Sequence, residues 1–272
     1  MPKVHPTAEV SAECQMHDSV EIGPGVRIMG KVTLGAGVRL VGHCYINGPV
    51  TIGERTAVYP YACIGFEPQD VKFKPGMPTA GVAIGADCLI REHATIHLAS
   101  KLDAPTRIGD RVFMMVGSHV GHDARADDDV TMVNNAALGG HSHVASRAIL
   151  GGNCAIHQFC RVGRMAFVSG LAGMSTDTPP FAIAWTRNSL ASINLVGMRR
   201  SGMPAEHITR VRQAYRETLR KGLPKNETIE ILTRLAEGCP PVGELLEFVR
   251  TAKKPIAPYI SNRRAREEGL VD

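Results

Sequence analysis

The sequence predicts a mainly β fold: a parallel β-helix built on six-residue steps, followed by an α-helical C-terminal region. Three observations carry this reading. An aliphatic residue or Met returns at every sixth position, through Val4, Val10, Met16, Ile22, Ile28, Leu34, Leu40, Ile46, Ile52 and Val58. A small residue follows each of these four places later, from Ala8 and Cys14 to Thr56 and Ala62. Glycine is abundant at 28 of 272 residues, while aromatics make up only 5%. A period of six matches neither the 3.6 of an α-helix nor the 2 of a strand. It matches a chain that turns a corner every six residues, so that three edges close a triangular coil of eighteen. Stacked coils then pair strand on strand at about 4.8 Å. Both columns point inward, the small one near the corner, where a larger side chain would overpack. Glycine suits corners that need positive φ. Pro24 and Pro60 fall at turn offsets, where no ladder donor is lost.

The frame runs from Val4 to Ile64-Gly65 and then breaks. Between Phe66 and Ala83 lies a polar stretch with Pro and Gly, Glu67 to Gly76, which reads as a protruding loop. Hexads resume at Ile84, Ile90 and Ile96. They fail again from Leu98 to Arg107, although Ile96 to Ile108 keeps a spacing of twelve. From Ile108 they continue to Met174 and stop after Thr178-Pro179-Pro180. Residues 1–184 are therefore expected to form the β-helix that carries the active site, and 185–272 a basic α-helical domain. Helices are expected over Ser189–Arg200, from Pro204 to about Lys221, from an Asn226 cap to Leu235, and over Val242–Thr251, with a polar tail from Ser261.

Charge divides at the same place. Residues 185–272 hold 16 Lys/Arg and 10 Asp/Glu, and residues 1–184 hold 15 and 16, so the overall +5 is the sum of +6 and −1. A basic helical region suits an acidic partner. Nucleic acid is disfavoured by the scarcity of rings and the lack of a recognisable motif. No apolar run approaches the ~18 residues of a membrane span, and Met1 to His5 shows no apolar leader. A cytoplasmic protein with reduced thiols is expected. Of seven cysteines, Cys14, Cys44, Cys88, Cys154 and Cys160 fall in the small inward column. Cys63 lies one place off it, and Cys239 lies in the helical region.

Six of the eleven histidines fall between positions 97 and 157. In an eighteen-residue coil, His122, His141 and His157 come close to one edge on adjacent coils. Asp123 follows His122, and Gly139-Gly140 and Gln158 sit beside them. Three chemistries compete for this cluster: zinc ligation, structural hydrogen bonding, and acid–base catalysis by a neutral imidazole with an orienting partner. His17 and His143 read as structural. Asn134-Asn135 occupies a turn and suggests an asparagine ladder.

The hexad prism, the loop with Gln69-Asp70-Val71-Lys72, Ser118-His119-Val120-Gly121-His122-Asp123, Gly140-His141, Ile156-His157-Gln158-Phe159-Cys160 and Arg199-Arg200-Ser201-Gly202 together resemble the bacterial UDP-N-acetylglucosamine O-acyltransferases that open lipid A biosynthesis. The resemblance covers roughly residues 4–250. It implies a left-handed β-helix with a helical C-terminal domain, assembled as homotrimers with active sites between neighbouring prisms. It implies transfer of a 3-hydroxyacyl chain from acyl carrier protein to the sugar 3-hydroxyl, with no metal and no other cofactor. In that reading His122 is the general base, Asp123 orients it, and the Gly140 N–H serves the oxyanion. Asp70 and Lys72 match contacts to sugar and phosphate. His97, His119, His141, His157 and Gln158 match the cleft lining, Gly170 the stop of the acyl channel, and Asn194 and Arg200 the surroundings of the nucleotide. The basic helices would dock acyl carrier protein. Three departures stand out: Leu98-Ala99-Ser100 where the family usually has Arg-Gly-Thr, Val196 where an acidic residue is common, and a short second loop. They leave open the 3-amino analogue of the sugar as acceptor. A related hexapeptide acyltransferase and a non-catalytic β-helix scaffold are the remaining alternatives.

Overall fold

A computed structural model describes residues 1–260 of the chain. Strands of two to four residues form three long sheets of 11, 9 and 8 strands. Successive strands enter successive sheets: Lys3–Val4 the first, Glu9–Val10 the second, Gln15–Met16 the third. Lys3 pairs with Glu21 and Glu9 with Arg27, so one coil takes the expected eighteen residues. Across the first loop Ala57 pairs with Leu89, an offset of 32, and across the second Thr95 pairs with His119, an offset of 24. The loops therefore add 14 and 6 residues to otherwise regular coils. An insertion of six is one whole hexad, which is why the frame keeps its phase past Leu98–Arg107.

In each two-residue strand one side chain points out and the next points in, as Glu21 and Ile22 do. Both hexad columns line a dry interior that runs from Val20 and Ile22 to Ala172 and Met174. The first coil is the exception, with Val4 43% exposed and Val10 and Met16 half-buried, because it is the open end of the prism.

Glycine takes the expected left-handed corners at Gly25, Gly37 and Gly117, with φ of 63°, 69° and 70°, but it has a second job. The left-handed corners mostly carry other residues, among them His43, Arg55, Asp123, Asn135 and His141 with φ between 46° and 59°; Asn, Asp and His tolerate this region better than most. The glycines that follow the aliphatic column answer to close packing instead. A Cβ on Gly53 would stand 2.5 Å from the Gly85 carbonyl carbon on the next coil.

The expected Ser189–Arg200 helix divides. Leu190–Ile193 is a strand that folds back antiparallel on Ala182–Ala184 and closes the first sheet, so one strand of the β architecture lies beyond residue 184. Helix α1 (Leu195–Arg200) follows, then α2 (Ala205–Glu217), α3 (Lys225–Ala236) and α4 (Pro240–Arg250). The N-cap of α3 is Pro224, and the expected cap Asn226 lies inside the first turn. Helix α2 buries Ile208, Val211, Ala214 and Tyr215, and the Tyr215 hydroxyl donates to the Pro180 carbonyl at the end of the solenoid. Helix α4 is held by Arg161, whose guanidinium stacks 4.2 Å over Phe248 and donates to the Phe248 carbonyl, and by Arg164 on Glu244 at 2.7 Å. The tail expected from Ser261 lies outside the described residues. Among the described residues no helix is long and apolar enough to cross a membrane. All seven thiols are free, and burial pushes those of Cys44 and Cys154 up to about 12, which leaves them inert packing groups.

Candidate active site

The site stands on one corner of the prism, where strands of the second sheet turn towards the third. Strands His119–Val120, Ala137–Leu138 and Ala155–Ile156 stack in register, so their turns stack too. The His141 N–H donates to the His122 carbonyl at 3.0 Å, and the Phe159 N–H to the Gly140 carbonyl at 3.1 Å. Asp123, His141 and Phe159 occupy one left-handed column with φ of 58°, 58° and 65°. His122, Gly140 and Gln158 occupy the column beside it. The eighteen-residue repeat thus sets one coil's catalytic candidates against the next coil's glycine and imidazole.

His122 Nδ1 lies 2.7 Å from Asp123 Oδ2, with the two side chains only 13% and 10% exposed. A carboxylate can only accept here, so the hydrogen bond assigns the proton to Nδ1 and leaves Nε2 as the basic nitrogen. Asp123 is itself held firmly. It accepts from the Ser100 hydroxyl at 2.6 Å and from the Ser100 N–H at 3.1 Å, while its own N–H donates to Thr106 Oγ1 at 2.8 Å. Burial acts most strongly on this carboxyl and pushes its pKa up. The hydrogen bonds from Ser100 and His122 together outweigh that push, so the group lies below the usual carboxylate range and stays ionised.

Gly140 makes the room. A Cβ there would stand 2.7 Å from both Cε1 and Nε2 of His122. Among the described residues its N–H donates to no backbone carbonyl, so a donor beside Nε2 remains available. His141 meets His122 edge-on at 5.1 Å and stacks on Phe159 at 4.6 Å with the rings 4° apart. Its Nε2 is 3.6 Å from Asp123 Oδ2, and burial lowers its pKa against the opposing pull of that carboxylate. His119 bonds Thr95 Oγ1 at 2.8 Å, and burial lowers it to about 4, so it is neutral near pH 7. His97 packs edge-on against His119 at 5.3 Å and ties down the long loop through the Glu67 carbonyl at 2.7 Å. Within that loop the Lys72 N–H donates to Asp70 Oδ1 at 2.9 Å, and Asp70 is near enough to influence the titration of His141. His157 lines a cavity of about 400 Å³ with Leu171, Gly173 and Arg187 on the next coils. Gly170 packs beneath Gly152, where a Cβ would meet the Gly152 carbonyl at 3.2 Å.

His122, Asp123 and His141 offer donor atoms within 4.8 Å of one another. The structural histidines behave as expected: His17 bonds Ser19 at 2.8 Å and His143 bonds Asp127 at 2.8 Å. Asn135 donates to Asn153 at 3.2 Å, the first rung of the asparagine ladder.

Asn194 and Arg200 lie elsewhere on the chain. They line a cavity of about 650 Å³ on the outer face of the first sheet, with Arg147, Ile149 and Phe167, and no member of the His122 cluster borders it. The Asn194 side chain also holds the fold together: it caps α1 by accepting from the Gly197 N–H at 2.8 Å and donates one amide proton to the Met165 carbonyl at 2.9 Å. Sequence reasoning missed three residues of the corner, namely Ser100, Thr106 and Phe159. The failed hexad over Leu98–Arg107 was a signal for the first two, since a chain that leaves the frame must place its polar groups outside it.

The family described as Udp N-acetylglucosamine O-acyltransferase, Domain 2, matches residues 177–257. The acyl-[acyl-carrier-protein]–UDP-N-acetylglucosamine O-acyltransferase of Burkholderia orbicola is 40% identical over 262 residues, covering 94% of this chain and 99% of that one. The enzyme of the same name from Synechocystis is 41% identical over 192 residues, 70% of this chain and 69% of its own. The solved UDP-N-acetylglucosamine O-acyltransferase of Moraxella catarrhalis superposes with a TM-score of 0.89 at 33% identity, covering 93% and 99% of the two chains. That of Francisella novicida gives 0.90 at 31%, covering 99% and 98%. A likeness that spans solenoid and helices together, with near-full coverage of both partners, is more than a shared β-helix. By that measure the chain belongs to the acyl-[acyl-carrier-protein]–UDP-N-acetylglucosamine O-acyltransferase family, and it is an acyltransferase.

Proposed function

We propose that the protein transfers a 3-hydroxyacyl chain from acyl carrier protein to the 3-hydroxyl of UDP-N-acetylglucosamine, with His122 as general base. The observation that carries this reading is the His122–Asp123 pair, whose free Nε2 lies against Gly140. Nε2 takes the proton of the sugar hydroxyl as its oxygen attacks the thioester carbonyl. The Gly140 N–H is offered to the oxyanion. When the tetrahedral adduct collapses, the C–S bond breaks and the imidazolium returns its proton to the departing thiolate. Asp123 keeps the imidazole in the required tautomer and steadies its cationic form. His97, His119, His141, His157 and Gln158 line the path of the substrates. Asp70 and Lys72 reach the sugar from the long loop, and Gly170 leaves space at the end of the acyl channel.

The relatives' names supply the donor and acceptor. Exposed Arg212 and Arg216 on α2, with Arg220 in the turn after it, support docking of an acidic carrier protein. The β-helix is taken to end at residue 184 and the basic helical domain to span 185–272, with its Leu190–Ile193 strand joining the two. The homotrimer is part of this proposal; what supports assembly of copies is that no residue of the His122 cluster borders the cavity bearing Arg200 within one chain. We also infer that no metal is needed, since Asp123 Oδ2 already serves both Ser100 and His122. Free thiols suit a cytoplasmic setting. Ser100 replaces a Thr of the family's usual pattern yet still grips Asp123, so this departure does not by itself point to the 3-amino acceptor.

The test is transfer from a panel of acyl carrier proteins to UDP-N-acetylglucosamine and to its 3-amino analogue, with products weighed by mass spectrometry. His122→Ala is expected to lose roughly 10²–10⁴-fold in kcat. Near-normal transfer by that variant sinks the general base. No transfer by the unmodified protein with any donor favours the scaffold reading.

A further inference from the structure

The second cavity, on the outer face of the first sheet, holds more cationic chemistry than the sequence pattern assigned to it. Its floor is apolar, with Ile149 and Phe167, and its polar side chains are Arg147, Asn194, Arg200 and Ser201. Two of these also serve the fold, and Asn194 keeps one of its two amide protons free for a ligand. Asn194 uses its oxygen on Gly197 and one amide proton on Met165, and the Ser201 hydroxyl donates to the Met198 carbonyl at 2.7 Å. The cationic donors are the two guanidiniums.

Arg147 is held loosely. Its nearest carboxylate among the described residues is Asp129, at 3.8 Å, and that carboxylate is already gripped by Arg111 at 2.7 and 3.1 Å. Arg147 is exposed and stands on a left-handed corner, one coil above Asp129. A guanidinium offers a planar fork of donors that matches phosphate oxygens in pairs. Two of them over an apolar floor suit a ligand with a flat ring and two linked phosphates. We propose that Arg147 is a phosphate-binding side chain which, together with Arg200, holds the diphosphate of the acceptor nucleotide. This rests on the reading that the acceptor is a nucleotide diphosphate sugar, and it adds Arg147 to Asn194 and Arg200 as a ligand contact.

Calorimetry with UDP and with uridine tests the assignment without requiring catalysis. Arg147→Ala is expected to weaken UDP binding about tenfold, or 1.4 kcal/mol, and to leave uridine binding unchanged. Arg147→Lys should recover part of the loss. In steady state the KM for the nucleotide sugar should rise while that for acyl carrier protein stays put. Asp129→Asn is the control for a purely structural role, since it removes Arg147's partner and keeps Arg147; it should bind UDP normally. The proposal is overturned if Arg147→Ala binds UDP as the unmodified protein does, if uridine is lost in equal measure, or if Asp129→Asn reproduces the defect. An unmodified protein that binds no UDP overturns it as well. A protein that binds UDP through Arg147 yet transfers no acyl chain keeps this inference and discards the acyltransfer chemistry above.

Discussion

At the scale of single residues, the His122 corner depends as much on what is absent as on what is present. A methyl group on Gly140 would occupy the space 2.7 Å from Nε2, so Gly140→Ala must turn the imidazole away from Asp123 or move the coil. Its backbone is not in the left-handed region, so the substitution adds no φ penalty. We expect a loss of at least about 10²-fold in kcat, with thermal stability nearly unchanged; activity assays beside melting curves check it. His119 gives a second prediction. Burial holds its pKa near 4, against 6.5 ordinarily. Between those values an unfolded chain takes up a proton that the folded one refuses, so His119 destabilises the fold progressively as pH drops from 6.5 to about 4. His119→Gln should flatten the fall in melting temperature over that window and leave the curve above pH 7 in place. A parallel fall in both proteins would remove His119 from the account. His122 and Asp123 were legible in the sequence because adjacency and the eighteen-residue coil fix them. Ser100 was not, because its approach to Asp123 depends on how a six-residue insertion folds back over the corner.

At the scale of elements, the coils are joined less by side chains than by backbone ladders, with a few buried hydroxyls where the ladder is interrupted. Thr56 is the clearest case. It sits wholly buried in the small column beside the first loop, donates to the Gly85 carbonyl at 2.9 Å and accepts from the Cys88 N–H at 3.0 Å. Thr56→Val keeps the shape and orphans both backbone groups, at a cost of about 1–3 kcal/mol; Thr56→Ser should cost less because the hydroxyl remains. Denaturant melts of the two variants check the order, and equal losses would show that the methyl matters more than the bonds. The period of six made every coil legible, since burial selects residue type at fixed positions. It did not reveal the last strand. Leu190, Ile193, Leu195 and Val196 fit a helical stripe, and only the exposed edge of Ala182–Ala184 decides that Leu190–Ile193 pairs as a strand instead. Tertiary pairing overrides local pattern there.

At the scale of the whole molecule, the three outer faces differ. The second sheet presents small or polar groups at its outward positions, such as Thr95, Ala137, Ala155 and Gly173. The third presents Arg107, Arg125, His143 and Arg161. The first begins with Lys3, Glu21 and Arg39 but continues through Ala57 with Leu89 and Phe113 and, past Thr131, with Ile149, Phe167 and Ile183. Leu89 is 41% exposed. The hexad pattern could not show this, because it constrains inward positions and leaves the outward ones free. A ribbon of apolar side chains leading to the Arg147–Arg200 cavity is what a neighbouring copy would cover. If the protein is the homotrimer we propose, its mass in solution should be roughly three times the 29.3 kDa of one chain. The double substitution Leu89→Asp with Phe113→Asp places two charges on the first sheet, whereas His122 stands at the corner between the second and third, and both positions lie outside the two cavities. It should shift the protein towards monomer in light scattering coupled to size exclusion. Activity should fall with it, and mixing with an excess of a His122→Ala partner should not restore it. A variant that stays trimeric, or a monomer with full activity, would show that the ribbon is not the contact that completes the site.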